Sequence, residues 1–260
     1  METHTATLFL LSVFLFFFTL LFSFSYRFFK NLQISSYSKC FAGGIILSTL
    51  IFHIFPDVYQ SNCGYLGQLF SGISFLILFS IDKLYLYVND NENDSLPKNV
   101  SKAQAFIFII ALSLHSFMEG LGIPAKEGKS LVWYSLGLLG HKWIEAFALS
   151  VSVHTSGFEM RIVYALLTFY SFLTPFGTLI GMALIKVLEN NKYFDNLTSI
   201  LNGISCGSFF YIEFIEMLNS EFDKQGMIAK KKNRKKVLAI FVGFVLMTLA
   251  ALGFHWAESK

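Results

Sequence analysis

The sequence predicts an all-α integral membrane protein whose eight transmembrane helices form a bundle. Hydrophobic residues make up 54% of the 260 residues, charged residues only 14%, and 31 residues are Phe. Soluble domains carry about a quarter charged residues, and a soluble domain of this size could not bury so many apolar side chains. Disordered chains are poor in aromatic residues and rich in charge, so this class is excluded as well.

Eight segments are long and apolar enough to cross a bilayer, which takes roughly 20 helical residues. We predict the spans at about 6–26, 40–58, 64–82, 103–123, 131–153, 162–186, 196–217 and 237–256. The first span follows no basic residue and has no clear small-residue cleavage site, so we expect a retained helix and not a signal peptide. Residues 1–260 are therefore predicted to form a single transmembrane domain.

The distribution of Lys and Arg predicts the orientation, because these residues stay on the cytoplasmic side. The odd-numbered connections and their flanks hold Arg27, Lys30, Lys39, Lys83, Lys98, Lys102, Arg161, Lys224, Lys230, Lys231, Lys232, Arg234, Lys235 and Lys236. The even-numbered connections and the carboxyl end hold Lys126, Lys129, Lys186, Lys192 and Lys260. Both termini are thus predicted to be extracytoplasmic.

Two cytoplasmic connections follow from this orientation. Residues 89–102 are predicted to form a short polar loop, and residues 219–236 a basic loop that ends in KKKNRKK. The basic run is interpreted as a topology anchor, with binding to lipid head groups as the alternative. The sequons at Asn93 and Asn99 lie in the first loop, so we expect them to carry no glycan.

The fourth and fifth spans each contain a His and a Glu four residues apart. These pairs are His115 with Glu119 and His141 with Glu145. Residues i and i+4 lie on one face of a helix, so each helix presents an imidazole beside a carboxylate. The connection PAKEGKS is short, which predicts an antiparallel hairpin with the two His residues at similar depth. Imidazole and carboxylate groups are ligands of zinc and related divalent metals.

Two structural alternatives compete with this metal site. An isolated intramembrane His is more often a hydrogen-bonded packing residue, and Lys142 could pair with Glu145 in a simple i, i+3 salt bridge. A charge at mid-membrane costs about 2.5–3.5 kcal/mol even on the lenient insertion scale. Because two matching pairs occur on consecutive helices, shared ligation of a cation is the favoured interpretation.

Further polar residues are predicted to line a path for the cation. His53 and Asp57 lie at the predicted outer end of the second span, where they either collect cations or simply form a polar helix end. Glu213 and Glu216 lie near the cytoplasmic end of the seventh span, where they either line an exit or act as interfacial carboxylates. The chain has no Walker loop, GxGxxG or HExxH motif.

At these residues the chain resembles the ZIP (Zrt/Irt-like protein) family of divalent metal transporters. The resemblance covers nearly the whole chain and is carried by CFAGGIILSTLIFHIFPD, HSFMEGLGI, HKWIEAFAL, PFGTLIG and GSFFYIEFIEML. It implies import of zinc, ferrous iron or similar ions toward the cytoplasm by alternating access. The transport-site ligands that it implies are His115, Glu119, His141 and Glu145.

The resemblance also implies a variant second metal position. Ser116 and Lys142 match residues that supply ligands to a second metal in binuclear members of the family. A protonated lysine has no lone pair with which to coordinate a metal. Its positive charge would therefore take the place of the second metal ion. We therefore expect one transported metal per site.

The remaining expectations follow from this interpretation. The protein is expected to be no enzyme, to hold no prosthetic group and to bind no nucleic acid; its partners are expected to be divalent metal ions, Zn²⁺ or Fe²⁺, and membrane lipid. An intramembrane zinc-dependent hydrolase is the alternative function, because His and carboxylate ligands can also activate water. The plasma membrane is favoured over an intracellular membrane, and a homodimer is left open.

Overall fold

The computed structural model describes residues 2–28, 32–59, 64–89, 98–188, 192–219, 222 and 227–258. All regular structure in these residues is helical, as the apolar composition predicts. The helices are α1 Glu2–Ser23, α2 Leu32–Thr49, α3 Phe55–Tyr59, α4 Gly64–Asn89, α5 Lys98–Gly122, α6 Gly128–Thr155, α7 Met160–Leu188, α8 Lys192–Tyr211 and α9 Met227–Glu258. The fold is therefore that of an all-α membrane protein.

Two π-helical segments adjoin these α-helices, and each contains a residue that the sequence analysis singled out. Leu50–Ile54 joins α2 to α3 and contains His53, and Ile212–Asn219 extends α8 and contains Glu213. A π-helical turn widens the helix locally and often marks a functional site. Together α2, the first π segment and α3 cover the predicted second span, whereas α8 and the second π segment cover the seventh.

Six helical segments of the described residues are apolar and long enough to cross a membrane. They are His4–Ser23, Ser36–Tyr59, Gly64–Leu84, Ala105–Ala125, Met160–Leu184 and Asn233–Gly253. The predicted fifth and seventh spans form helices α6 and α8, but these are too polar to meet the same criterion. The buried residues of α6 include charged ones, which contact other helices instead of lipid. The structure thus confirms a multi-helix membrane protein, while the count of eight spans stays a prediction.

The loop predictions differ from the structure at the basic connection. Helix α9 begins at Met227, so the part of the predicted loop 219–236 from that residue onward is helical. Lys and Arg have good helix propensity, and the run continues directly into an apolar span. The first loop, 89–102, lies mostly outside the described residues, and α5 already begins at Lys98.

Glycines allow pairs of helices to pack with their backbones in contact. A Cβ atom on Gly207 of α8 would lie 2.0 Å from the carbonyl oxygen of Ser71 on α4. A Cβ atom on Gly120 of α5 would lie 2.2 Å from the carbonyl oxygen of Thr174 on α7. Both distances are far below a van der Waals contact, so only glycine fits. Small residues of this kind commonly let membrane helices approach closely.

Helix α6 forms the centre of the bundle. It contacts α1, α2, α5, α7 and α9. Its buried positions include Leu149, Val151 and Val153 in the apolar core and, one to two turns earlier, His141 and Glu145. This central position removes the polar side chains of α6 from lipid and turns them toward α5.

Candidate metal centre

The two His/Glu pairs meet at the centre of the bundle. His115 lies one turn before Glu119 on α5, and His141 lies one turn before Glu145 on α6. The short turn Ile123–Ala125 joins the two helices and sets their register. One ligand atom from each of the four side chains can be chosen so that all four atoms lie within 4.8 Å of one another.

The distances within this cluster are those of side chains that surround a common point. Glu119 Oε1 lies 3.0 Å from His115 Nε2 and 2.6 Å from His141 Nε2. Glu145 Oε1 lies 3.5 Å from His115 Nε2 and 3.9 Å from His141 Nε2. All four side chains are almost completely buried. The cluster thus combines two nitrogen and two oxygen donors away from bulk water.

Two atoms of the cluster lack a hydrogen bond. Among the described residues, neither His115 Nε2 nor Glu145 Oε1 makes a hydrogen bond of good geometry, although both are buried and Glu119 Oε1 lies 3.0 Å from His115 Nε2. A buried polar atom without a partner is costly, and such atoms need an explanation. Both atoms point toward the same space and belong to ligand types that zinc uses. A divalent cation between them would satisfy both.

Lys142 adds a buried positive charge to the cluster. Its ammonium contacts Glu119 Oε2, donates a hydrogen bond of 2.8 Å to Ser116 Oγ and lies 3.6 Å from Glu145 Oε2. The side chain is fully buried. The structure therefore contains the Lys142–Glu145 ion pair together with the four-residue cluster. The ammonium occupies the side of both carboxylates that faces away from the His residues.

Three residues that the sequence did not single out hold the cluster from outside. Tyr170 on α7 donates a hydrogen bond of 3.3 Å to Glu145 Oε2. Ser205 on α8 lies with its hydroxyl 3.4 Å from His115 Nδ1, which leaves Nε2 for the cluster. Tyr134 on α6 donates a hydrogen bond of 3.2 Å to the carbonyl oxygen of Glu119. Each of these contacts joins residues that are far apart in the sequence or involves a backbone atom. No spacing of residue types in the sequence could therefore predict it.

A cavity of about 300 Å³ lies between the cluster and the predicted outer end of the bundle. His115 and Glu119 line its inner part, and Asp57 and Lys126 line the part near the helix ends. His53 also lines it, and its ring centroid lies 5.6 Å from that of His141. Asp57 therefore lines the cavity near the helix ends, whereas His53 lies beside the cluster; that the two residues form an entrance for cations stays a prediction.

Glu213, one of the two predicted exit residues, is not at an open surface. Glu213 is fully buried, and neither of its carboxylate oxygens has a hydrogen-bond partner among the described residues. It packs against α2, where a Cβ atom on Gly43 would lie 3.3 Å from Glu213 Oε1. The side chain of Glu216 lies outside the described residues. The cavity thus reaches the cluster from the end that Asp57 lines, and Glu213 is buried against α2 instead of lining it.

Sequence comparison identifies the family. The family model described as ZIP zinc transporter matches residues 89–251, which include the whole cluster. The chain belongs to the ZIP family. The family assignment makes this a multi-pass membrane protein related to transporters and not to enzymes.

Relatives from several organisms match more than half of this chain. Protein zntC of Dictyostelium discoideum is 34% identical over 57% of this chain and 36% of its own length. Zinc transporter ZIP1 of Danio rerio is 27% identical over 84% of each chain. Zinc transporter ZIP1 of Homo sapiens is 24% identical over 81% of this chain and 76% of its own. The chain therefore spans most of the ZIP1 relatives but about a third of zntC.

Proposed function

We propose that this ZIP protein transports Zn²⁺ across its membrane toward the cytoplasm. The observation that carries the proposal is the buried cluster of His115, Glu119, His141 and Glu145, whose four ligand atoms lie within 4.8 Å of one another. The two imidazoles and two carboxylates match the ligand preferences of zinc. The names of the ZIP1 relatives support zinc as the cargo. Fe²⁺ accepts the same ligands and is the second candidate.

The path would start at Asp57 and continue past His53 to the cluster. The cavity lined by these residues supports entry from the predicted extracytoplasmic end. The metal would then bind between α5 and α6 with little of its water shell. Release would require the opposite end to open, with Glu213 and Glu216 receiving the ion. The burial of Glu213 and the cavity that Asp57 lines support alternating access.

Each site would carry one metal ion. Lys142 contacts both carboxylates of the cluster, at the position where a second ion would be expected. Its fixed charge would stabilise the empty site, because two buried carboxylates need compensation even without a metal. Ser116 would hold the ammonium in this position through its hydrogen bond.

The arrangement in the membrane forms part of the same proposal. Eight spans with both termini outside the cytoplasm would place Asp57 on the outer side and Glu213 on the inner side. We favour the plasma membrane, with zinc taken up from outside the cell, and a monomer or homodimer embedded in lipid.

Metal accumulation in cells tests the proposed transport site. His115→Ala and Glu145→Ala should each abolish zinc uptake, since each removes one of four ligands. Surface labelling should show that both variants reach the membrane. Glu127→Ala is the matched control, because Glu127 is an exposed acidic residue outside the cavity lining. Normal uptake by the two ligand variants would refute the proposed site.

A hydrolase with a catalytic zinc is the competing function. It would need an open metal position, a water and a general base, and the described residues around the cluster offer no carboxylate beyond Glu119 and Glu145 within hydrogen-bonding range of it. Turnover of a lipid or peptide by the purified protein, without metal flux, would favour this alternative.

A further inference from the structure

A lysine lies on the wall of the cavity that leads to the metal centre. Lys126 directly follows the turn Ile123–Ala125 between α5 and α6 and is half-buried. Asp57 lines the same cavity. The two ends of the cavity thus differ in charge: the inner end carries the carboxylate of Glu119, and the outer part carries one negative and one positive side chain.

An aromatic ring holds the Lys126 ammonium in this place. The Nζ atom lies 5.4 Å from the centroid of the Tyr134 ring, within the range of a cation–π interaction. No ion pair within 4 Å joins Lys126 to an acidic side chain among the described residues. Its charge is therefore not cancelled by a direct carboxylate contact.

Tyr134 in turn is fixed beside the route of the metal. Its hydroxyl donates a hydrogen bond to the carbonyl oxygen of Glu119, and its ring centroid lies 6.0 Å from that of His53. His53 is adjacent to His141 of the metal centre. A cation that moves from Asp57 past His53 must therefore pass close to the ring that carries the ammonium.

We propose that Lys126 sets the apparent affinity for the metal by opposing the entry of cations into the cavity. A fixed positive charge lowers the local concentration of a cation, and the effect on the free energy scales with the valence of the ion. Lys126 contacts none of the four cluster residues, so it acts on capture and not on ligation. The inference rests on the cation transport proposed above.

The charge variant Lys126→Gln tests this role in zinc uptake by purified protein in vesicles. We expect the KM for zinc to fall about fivefold at low ionic strength, with the maximal rate unchanged. The difference should shrink at high salt, because salt screens the ammonium. Lys126→Arg keeps the charge and should keep the wild-type KM.

Lys129→Gln is the matched control. Lys129 lies three residues further along, at the exposed start of α6, and does not line the cavity. A lower KM in Lys126→Gln alone supports the proposal. An unchanged KM in Lys126→Gln, or an equal decrease in both variants, would overturn it, since the second result indicates a general surface-charge effect. Absence of zinc uptake by the wild type would instead refute the transport function itself.

Discussion

Buried charge is the decisive property at the scale of single residues. Glu119, Glu145 and Lys142 lie in the middle of an apolar bundle, and each is almost fully buried. A lone charge at this depth is expensive, so it persists only with partners. The ammonium supplies one positive charge for two carboxylates. The remaining negative charge and the two His side chains leave room for a divalent cation.

Removal of the Lys142 charge should make the structure dependent on metal. Lys142→Met leaves two buried carboxylates without their cation, and breaking a buried pair in this way costs about 3–5 kcal/mol. We expect a clearly lower melting temperature in metal-free detergent solution and a larger stabilisation by added zinc than in the wild type. Thermal unfolding with and without zinc measures both effects.

Lys129→Met serves as the control for this measurement, because Lys129 is exposed and contacts no cluster residue. An unchanged melting temperature for Lys142→Met without metal would show that the ammonium does not stabilise the site.

The sequence predicted which side chains lie together where the residues concerned belong to one helix. The i, i+4 spacing placed His115 with Glu119 and His141 with Glu145 on single faces, and the structure brings the two faces together. Tyr170 and Ser205 were not found, because their contacts join helices that are distant in the chain. Whether the cluster binds metal remains a prediction that needs an experiment.

At the scale of helices, close packing positions the site. Helix α5, which carries His115 and Glu119, contacts α7 at glycines and α6 through the cluster. Helix α4 packs against α8, which carries Ser205 and continues into the segment with Glu213. Which helices pair could not be predicted from the sequence, because composition alone does not define the partners of a helix.

Gly207 provides a test of this packing. A Cβ atom at this position would lie 2.0 Å from the Ser71 carbonyl oxygen, so Gly207→Ala must separate α4 from α8. Overpacking of this kind typically costs about 1–3 kcal/mol, and we expect a lower melting temperature. Gly253→Ala is the matched control, since no atom lies within 4 Å of its Cβ position. Equal melting temperatures of the two variants would contradict the observed helix contact.

At the scale of the whole molecule, a cavity leads to the metal centre from the end of the bundle that Asp57 lines. The cavity lined by Asp57 and His53 reaches His115, whereas Glu213 is packed against Gly43 on the far side. A transporter that alternates between two states should show this asymmetry in each of them.

The fold class was predictable because composition constrains a membrane protein strongly. The number of spans was less certain, since α6 and α8 carry polar residues that a hydropathy criterion rejects. Burial within the bundle explains α6: its charged residues contact other helices.

The orientation in the membrane was predicted from the distribution of Lys and Arg, which places Asn99 in the cytoplasm. A glycan on Asn99 would therefore contradict the predicted topology.

Zinc flux through the purified protein tests the central claim most directly. Wild-type protein in vesicles that contain a zinc-sensitive dye should import zinc without any added substrate. Vesicles with the His115→Ala/Glu145→Ala double variant, at equal protein content, should show only background leakage. Equal flux through the wild type and the double variant would contradict the claim that these four residues form the transport site.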